Sequence, residues 1–470
     1  MIFKQFFLEA LGHASYLIGS EETGEAFVLD VRRDVEQYYD FAREQGLTIR
    51  YASDTHQHND YLTGITELKQ RSPVELLAGA RAELGYSARK MDDGARLKIG
   101  EIELEVLHTP GHTPEHISFL VRDFARGDEP LMLLSGGALL VDDVARPDLL
   151  GKESETRQGA LDLGRTLKEK ILTLPDHVLV YPTHVAGSLC GGNIGSMLVT
   201  TVGYEKRLNE LLRCVDNEEE FGKRCMDLEN LPTVPPYWRR MRKQNQQGPE
   251  ALGVLKNPPA LSVDEFARRR DDGALVLDCR QPEAFGGGHI PGSLNVGFGT
   301  SFPTWAGSVL PIDRPVLVLL DRPDDLWEVS WHLLRIGYEL PAGWLAGGIM
   351  AWRVAGREID RVAQWTVDEL DERRSADIGL LILDVRQPAE WAEGHVPGAR
   401  HVSGGELAQK VGDLPRDRPI AVYCGSGFRS SVATSLLKAD GRDLVFNVLG
   451  GYTAWMARDL PVEGVGVGPS

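Results

Sequence analysis

Short aliphatic and β-branched runs recur through the second half of the chain: "ALVLD" (Ala274–Asp278), "PVLVLL" (Pro315–Leu320), "LLILD" (Leu380–Asp384) and "PIAVYC" (Pro419–Cys424). Unbroken apolar runs of this kind predict strands buried on both faces, as in a parallel sheet. Between them, "SVDEFARRR" and "SSVATSLLKADG" place apolar residues at helical spacing, so strands and helices alternate as in an α/β fold. In the first half, three β-rich stretches each close on histidine: "THQHNDY" (His56, His58), "LHTPGHTPEHISF" (His108, His112, His116) and "VLVYPTHVAGSLCGG" (His184).

The second half is also an internal repeat. "LDCRQPEAFGGGHIPGSLNV" (Leu277–Val296) reappears as "LDVRQPAEWAEGHVPGARHV" (Leu383–Val402), and "WLAGGIMAW" is answered by "NVLGGYTAW". Each copy spans roughly one hundred residues, the size of a domain and not of a solenoid unit. With "NPPAL" and "REIDRVAQW" as joins, the expected domains are 1–250, 255–360 and 362–465.

Composition narrows the function classes. The 470 residues are 42% hydrophobic and 26% charged, as expected of a globular protein. No apolar run is long enough to predict a membrane span, and the N-terminus lacks a signal-peptide pattern. A net charge of −18 argues against nucleic acid and anionic membranes as partners. Five cysteines, an odd number and few for this length, suit a reducing cytoplasm in which a single thiol can be catalytic. Self-association of the chain is left open.

The segment "VYCGSGFRSSVATSLLK" holds the strongest nucleophile candidate, Cys424. A strand is expected to end there, followed by a tight loop of Gly425, Ser426, Gly427, Phe428 and Arg429, with a helix from about Ser430. Glycines let successive N–H groups turn inward, and a helix N-terminus adds positive potential, so the loop is an anion cradle that favours a thiolate. Arg429 is suited to bidentate capture of an oxyanion. Together with "LDVRQPAEWAEGHVPGA", this segment resembles a rhodanese domain. The resemblance implies sulfane sulfur transfer through a Cys424 persulfide, with Cys424 and Arg429 catalytic and Gly425, Ser426, Gly427 and Phe428 binding the substrate. The six-residue loop length matches the sulfur-transferring members and not the tyrosine phosphatases. The first copy departs from the pattern: Leu320 takes the cysteine position and Asp321, Asp324 and Asp325 surround it. That copy is expected to be an inactive rhodanese-like module.

Histidines on loops after strands are how a metal centre is assembled from distant sequence. The H-x-H-x-D cluster of His56, His58 and Asp60, followed by "GHTP" at His112, resembles the metallo-β-lactamase fold, an αββα sandwich with metals at one edge. Within that fold, "THQHNDYLTG", "LHTPGHTPEHISF", "VARPDLLG" and "YPTHVAGSLCGG" are closest to the persulfide dioxygenase and glyoxalase II-like branch. The resemblance implies an iron(II) centre with His56 and His112 as ligands and an Asp as the third, acting on glutathione-type persulfides. It also implies thiosulfate or sulfite as partners of the rhodanese step. In this chain Gly137 stands where the family has its Asp, and Tyr61 where two-metal members have His. Three arrangements stay open: Asp142 or Asp143 reaching the metal; His56, His58 and His112 holding iron or zinc through nitrogen alone; or a metal-depleted scaffold beside an active sulfurtransferase. A glyoxalase II-like thioester hydrolase is the alternative activity. Arg146 is a candidate contact for a substrate carboxylate, or else the partner of Asp148 or Asp143.

Overall fold

In a computed structural model, which describes residues 1–227, 231–376 and 379–464, the chain divides into two compact units. One comprises Met1–Leu231 with Trp238–Leu255; the other comprises Pro232–Tyr237 and the chain from Lys256 onward. The short segment Pro232–Tyr237 belongs with the second unit, where the Thr233 amide donates to Gln387 Oε1 at 3.0 Å. Among the described residues no helix is long and apolar enough to cross a membrane.

The first unit holds two six-stranded sheets. Strands β1 to β6 (Ile2–Leu8, His13–Gly19, Glu25–Leu29, Thr48–Ser53, Glu75–Gly79, Arg89–Met91) lie in sequence order across the first. Strands β7 to β12 (Arg96–Ile99, Ile102–His108, Ile117–Asp123, Met132–Gly136, Leu179–Pro182, Thr200–Thr201) do the same in the second. Tyr16, Phe27, Leu104, Phe119 and Val121 are fully buried in one core cluster that draws on both sheets. On the outer face of the first sheet, helices Glu36–Glu44 and Ile65–Arg71 contribute Tyr38, Ala42, Ile65 and Leu68 to a second cluster. Helix Glu153–Thr166 contributes Ala160 and Leu163 to a third, against the second sheet. The order of layers is helix, sheet, sheet, helix. A bridge between His13 and His184 ties β2 to the loop after β11, with Ala14 N donating to Thr183 O and Val185 N to Gly12 O, each at 2.8 Å.

The second unit contains the repeat as two five-stranded parallel sheets of one topology. The first copy has β13 to β17 (Ala260–Leu261, Leu275–Asp278, Leu294–Asn295, Val316–Leu319, Gly343–Leu345) in the spatial order β13-β17-β16-β14-β15. The second has β18 to β22 (Ala363–Trp365, Leu381–Asp384, Arg400–His401, Ile420–Tyr423, Val445–Val448) in the order β18-β22-β21-β19-β20. Each copy opens with a capped helix. Ser262 accepts from Glu265 N, and Thr366 and Glu369 form a reciprocal capping box, which satisfies amides that a helix start leaves unpaired.

The shared text of the repeat is mostly structural. Arg280 forks onto Asp278 at 2.9 and 2.6 Å and also reaches Gly288 O at 2.9 Å. Arg386 repeats this with Asp384, its Nη2 donating to Oδ2 at 2.7 Å and to Gly394 O at 2.7 Å. All four side chains are buried. His289 and His395 stack on Phe285 and Trp391 at 3.9 and 3.4 Å. Removing one member of a buried pair leaves the other charge uncompensated, which costs about 3–5 kcal/mol. Asp384→Ala is therefore expected to lower the urea midpoint of the second copy by that much stability, read through tryptophan fluorescence. A midpoint within error of wild type would show that Arg386 finds another partner.

Candidate functional sites

The first site lies at the strand ends of the first unit. His56 follows β4, His112 lies between β8 and β9, and His184 follows β11. One ring nitrogen from each falls within 4.8 Å of the others, and the Nε2 atoms of His56 and His184 are 3.3 Å apart. The opposite nitrogens are tied back. His112 Nδ1 donates to Arg146 O at 2.9 Å. His184 Nδ1 lies 3.4 Å from Asp60 Oδ2. His56 Nδ1 is 2.9 Å from Thr55 Oγ1, whose hydroxyl is committed to Asp30 at 3.0 Å. The contacts at His112 and His56 suit a ring proton on Nδ1, which turns their Nε2 lone pairs toward His184 Nε2. His112 Nε2 is buried with no hydrogen-bond partner.

Burial keeps two of these rings neutral. It pushes the His112 pKa down to about 3, with His184 adding to the effect. It also takes His56 well below the usual histidine range, with His58, His112, His116 and His184 contributing. Burial works against the Asp60 carboxylate, but His184 holds it below the ordinary carboxylate range. Converging imidazoles whose other nitrogens face carboxylate, hydroxyl and carbonyl groups are a donor set that suits a metal ion. The 3.3 Å separation is also about the edge of a tetrahedron with bonds of roughly 2.0–2.1 Å.

The trio differs from the expected one, because His184 takes the place given to His58. His58 Nε2 lies 3.0 Å from Asp30 Oδ1. Burial works to lower the pKa of that ring, but the Asp30 charge and hydrogen bond raise it above the ordinary value, so the ring is committed to Asp30. His116 is also committed: Nδ1 meets Thr109 Oγ1 at 2.8 Å, and Nε2 accepts from Gly137 N at 2.8 Å. His108 Nε2 meets Pro114 O at 3.0 Å.

Neither of the two downstream carboxylates offers itself to the centre. Asp143 accepts from the amides of Val144, Gly192 and Asn193 at 2.8 Å each. The Asp142 carboxylate lies against Gly195 and hydrogen-bonds Tyr204. At Gly137, a Cβ would meet Cδ2 of the His112 ring at 2.6 Å, so the ring fills the space a side chain would need. Arg146 forks onto Asp148 at 2.7 and 2.8 Å, the ion-pair arrangement. Its carbonyl is what orients His112. Asp60, His184 and Cys190 form a second close group, and Asp30, Asp54 and His58 a third.

The second site is the loop after β21. Cys424 follows the strand directly and is fully buried. The helix starts at Phe428, two residues earlier than expected, because Gly427 turns the chain at φ 118°, a conformation open to glycine. Arg429 therefore sits in the first helical turn. Gly427 N donates to Cys424 Sγ at 3.1 Å, and Ser430 Oγ lies 3.6 Å from the sulfur. The loop carbonyls are drawn away by the next helix, Gly451–Ala457: Tyr452 N donates to Cys424 O at 2.7 Å and Thr453 N to Gly425 O at 3.0 Å. The fit is close, since a Cβ on Gly451, at φ 51°, would meet Cys424 O at 2.2 Å. Arg429 pairs through both terminal nitrogens with Glu390, at 2.5 and 2.7 Å. Ser426 is exposed, while Gly425 and Phe428 are half-buried.

In the first copy Leu320 follows β16 as Cys424 follows β21, and it is buried. A short helical turn, Pro323–Asp325, replaces the cradle, and Asp321 and Asp324 are exposed. The approach of the following helix is looser, with Gly348 Cβ placed 3.6 Å from Leu320 O. Cys279 does not substitute: burial, then the charges of Asp278, Asp321 and Asp325, push its thiol well above the usual range. This copy instead braces its neighbour. Ser431 Oγ, on the helix that carries Arg429, donates to Asn295 Oδ1 at 2.6 Å, and Asn295 is held by the carbonyls of Asp278 and Arg280.

Asp30, Thr55, Asn295 and Glu390 were not among the candidates read from the sequence. Glu390 left a trace there, since the otherwise shared text has Ala284 at that position.

Comparison with known proteins finds relatives for both halves of the chain. The Rhodanese-like domain family model matches residues 262–355 and 366–458. Over 238 residues of its N-terminal half, the chain is 32% identical to the mitochondrial persulfide dioxygenase ETHE1 of Bos taurus, covering 49% of this chain and 83% of that protein. A 95-residue stretch is 34% identical to a sulfurtransferase of Allochromatium vinosum, covering 20% of this chain and 89% of that protein. A crystal structure of a metallo-beta-lactamase from Staphylococcus aureus matches with a TM-score of 0.66 at 32% identity, over 73% of this chain and 98% of that one. The chain belongs to the persulfide dioxygenase family through its N-terminal, metallo-β-lactamase-fold half, and it continues into two rhodanese-like domains.

Proposed function

We propose that this chain is a sulfur-metabolism enzyme in which Cys424 carries sulfane sulfur and the histidine centre handles a low-molecular-weight thiol persulfide such as glutathione persulfide. The observation that carries the first part is the cradle: Cys424 Sγ accepts from Gly427 N at 3.1 Å, while the loop carbonyls are drawn to the far side. The Cys424 thiolate attacks the outer sulfur of R–S–SH. A sulfur–sulfur bond forms at Cys424, the donor's bond breaks, and R–S⁻ leaves with the electron pair, giving Cys424–S–SH. With thiosulfate as donor the leaving group is sulfite. Inward-facing N–H groups and the helix N-terminus stabilise negative charge on the transferred sulfur.

At the first site, the Nε2 atoms of His56, His112 and His184 would hold one divalent metal. Bound there, iron(II) or zinc supplies an electrophilic centre with positions left for substrate. Asp60, Thr55 and the Arg146 carbonyl keep the three rings in the ligating tautomer. Gly137 withholds a carboxylate and makes room for the His112 ring, so ligation is by nitrogen alone. A thioester hydrolase of the glyoxalase II kind needs an activated water, usually from two metals, and Tyr61 lies buried against His13 at 4.2 Å between ring centres.

Two measurements test these assignments. Incubation with glutathione persulfide followed by intact-protein mass spectrometry is expected to add one sulfur to wild type and none to Cys424→Ser; an adduct on the variant would move the carrier elsewhere. Elemental analysis of chelator-free preparations is expected to find metal in wild type, lost in His184→Ala and substantially reduced in Gly137→Ala, where the added methyl displaces the His112 ring. Full metal in His184→Ala would return the third ligand to His58. Thioester hydrolysis that tracks bound zinc would assign the hydrolase activity instead.

A further inference from the structure

The Arg429 guanidinium, expected to meet the donor, is already engaged. Both terminal nitrogens contact Glu390 in fork-to-fork geometry, Nη1 to Oε2 at 2.5 Å and Nη2 to Oε1 at 2.7 Å. Glu390 is also held by the backbone of its own helix start. Its Oε2 accepts from Gln387 N at 3.0 Å in a capping box that starts the helix Pro388–Ala392. The pair lies beside the loop, since a Cβ on Gly425 would be 2.9 Å from Arg429 Nη2 and 3.9 Å from Glu390 Oε1.

The internal repeat supplies an independent observation. Leu320, Asp325 and Ala284 occupy the positions of Cys424, Arg429 and Glu390. The buried Asp–Arg pair and the stacked histidine are kept in both copies. The copy without the thiol therefore also lacks both members of the fork, while the pairs that hold the fold persist. A purely architectural salt bridge has no reason to disappear with the nucleophile.

We propose that Glu390 is a specificity-determining positioning residue. It holds Arg429 beside Cys424 while cancelling its charge, and it thereby biases the cradle toward thiol persulfides and against dianionic donors such as thiosulfate. The proposal rests on the sulfur-transfer reading of Cys424. Thiosulfate places a sulfonate directly on the reacting sulfur and must displace or face the Glu390 carboxylate. A thiol persulfide presents an outer sulfur that is neutral or singly charged, so it needs no free guanidinium. Built-in repulsion of one donor class is as effective a source of selectivity as attraction of the other. The two transfers balance as R–S–SH + Cys424–S⁻ → Cys424–S–SH + R–S⁻, and S–SO₃²⁻ + Cys424–S⁻ → Cys424–S–S⁻ + SO₃²⁻.

The test uses the full chain and follows Cys424 persulfide formation by rapid quench and mass spectrometry, over a range of concentrations of each donor. Wild type is expected to have the higher kcat/KM with glutathione persulfide. In Glu390→Gln the thiosulfate-to-persulfide ratio of kcat/KM is expected to rise roughly tenfold, chiefly through a lower KM for thiosulfate. Glu390→Asp, which restores the charge, is expected to return the ratio toward wild type. Equal kcat/KM for both donors in wild type, or a parallel change for both in Glu390→Gln, would overturn the proposal. Should neither donor place sulfur on wild-type Cys424, the transfer reading itself fails, an outcome distinct from transfer without discrimination.

Discussion

The hydrogen bond from His112 Nδ1 to the Arg146 carbonyl decides which lone pair of that ring is free, and the first site depends on this kind of contact. An imidazole has one donor and one acceptor when neutral, so fixing one nitrogen fixes the role of the other. Asp60 does the same for His184, and Thr55, backed by Asp30, does it for His56. Thr55 immediately precedes His56, but Asp30, Asp60 and Arg146 lie far in sequence from the residues they hold. They meet because the bridge between His13 and His184 joins β2 to the loop after β11, and because β4, β8, β9 and β11 end at one edge.

The cysteine loop solves an equivalent problem with backbone groups. A carbonyl turned toward Sγ would repel a thiolate, so each must find a donor elsewhere. The amides of Tyr452 and Thr453 take the carbonyls of Cys424 and Gly425. That works only because Gly451 allows near-contact between the helix and the loop. In the first copy the same architecture remains with the fit relaxed, as expected once no anion has to be held.

Each half of the chain thus contains a position where the sequence departs from the pattern it resembles, and the two are accommodated differently. At Leu320 an aliphatic side chain fills the place of the thiol and extends the hydrophobic core. At Gly137 the His112 ring fills the space a side chain would need, which couples that position to the placement of His112. The first loss leaves a brace for the neighbouring helix through Asn295 and Ser431. The second leaves the His112 ring against the backbone, beside His56 and His184.

Much of this was determined by the sequence alone. Period and run length distinguished strands from helices, the doubled text marked two related modules, and "CGSGFR" specified a cradle because glycine and a helix start are local requirements. The H-x-H-x-D cluster announced a metal-site architecture for the same reason. What adjacent residues cannot encode is the identity of partners across the fold. His58 is two residues from His56 yet pairs with Asp30, and His184 arrives from far along the chain to complete the trio. Glu390 captures Arg429 across 39 positions, and Arg146 is satisfied by Asp148 while its carbonyl does the orienting. Ligand sets and ion pairs are three-dimensional choices among several chemically suitable residues. Only the packed strand ends, by fixing which lone pairs converge and which are already bonded, made those choices.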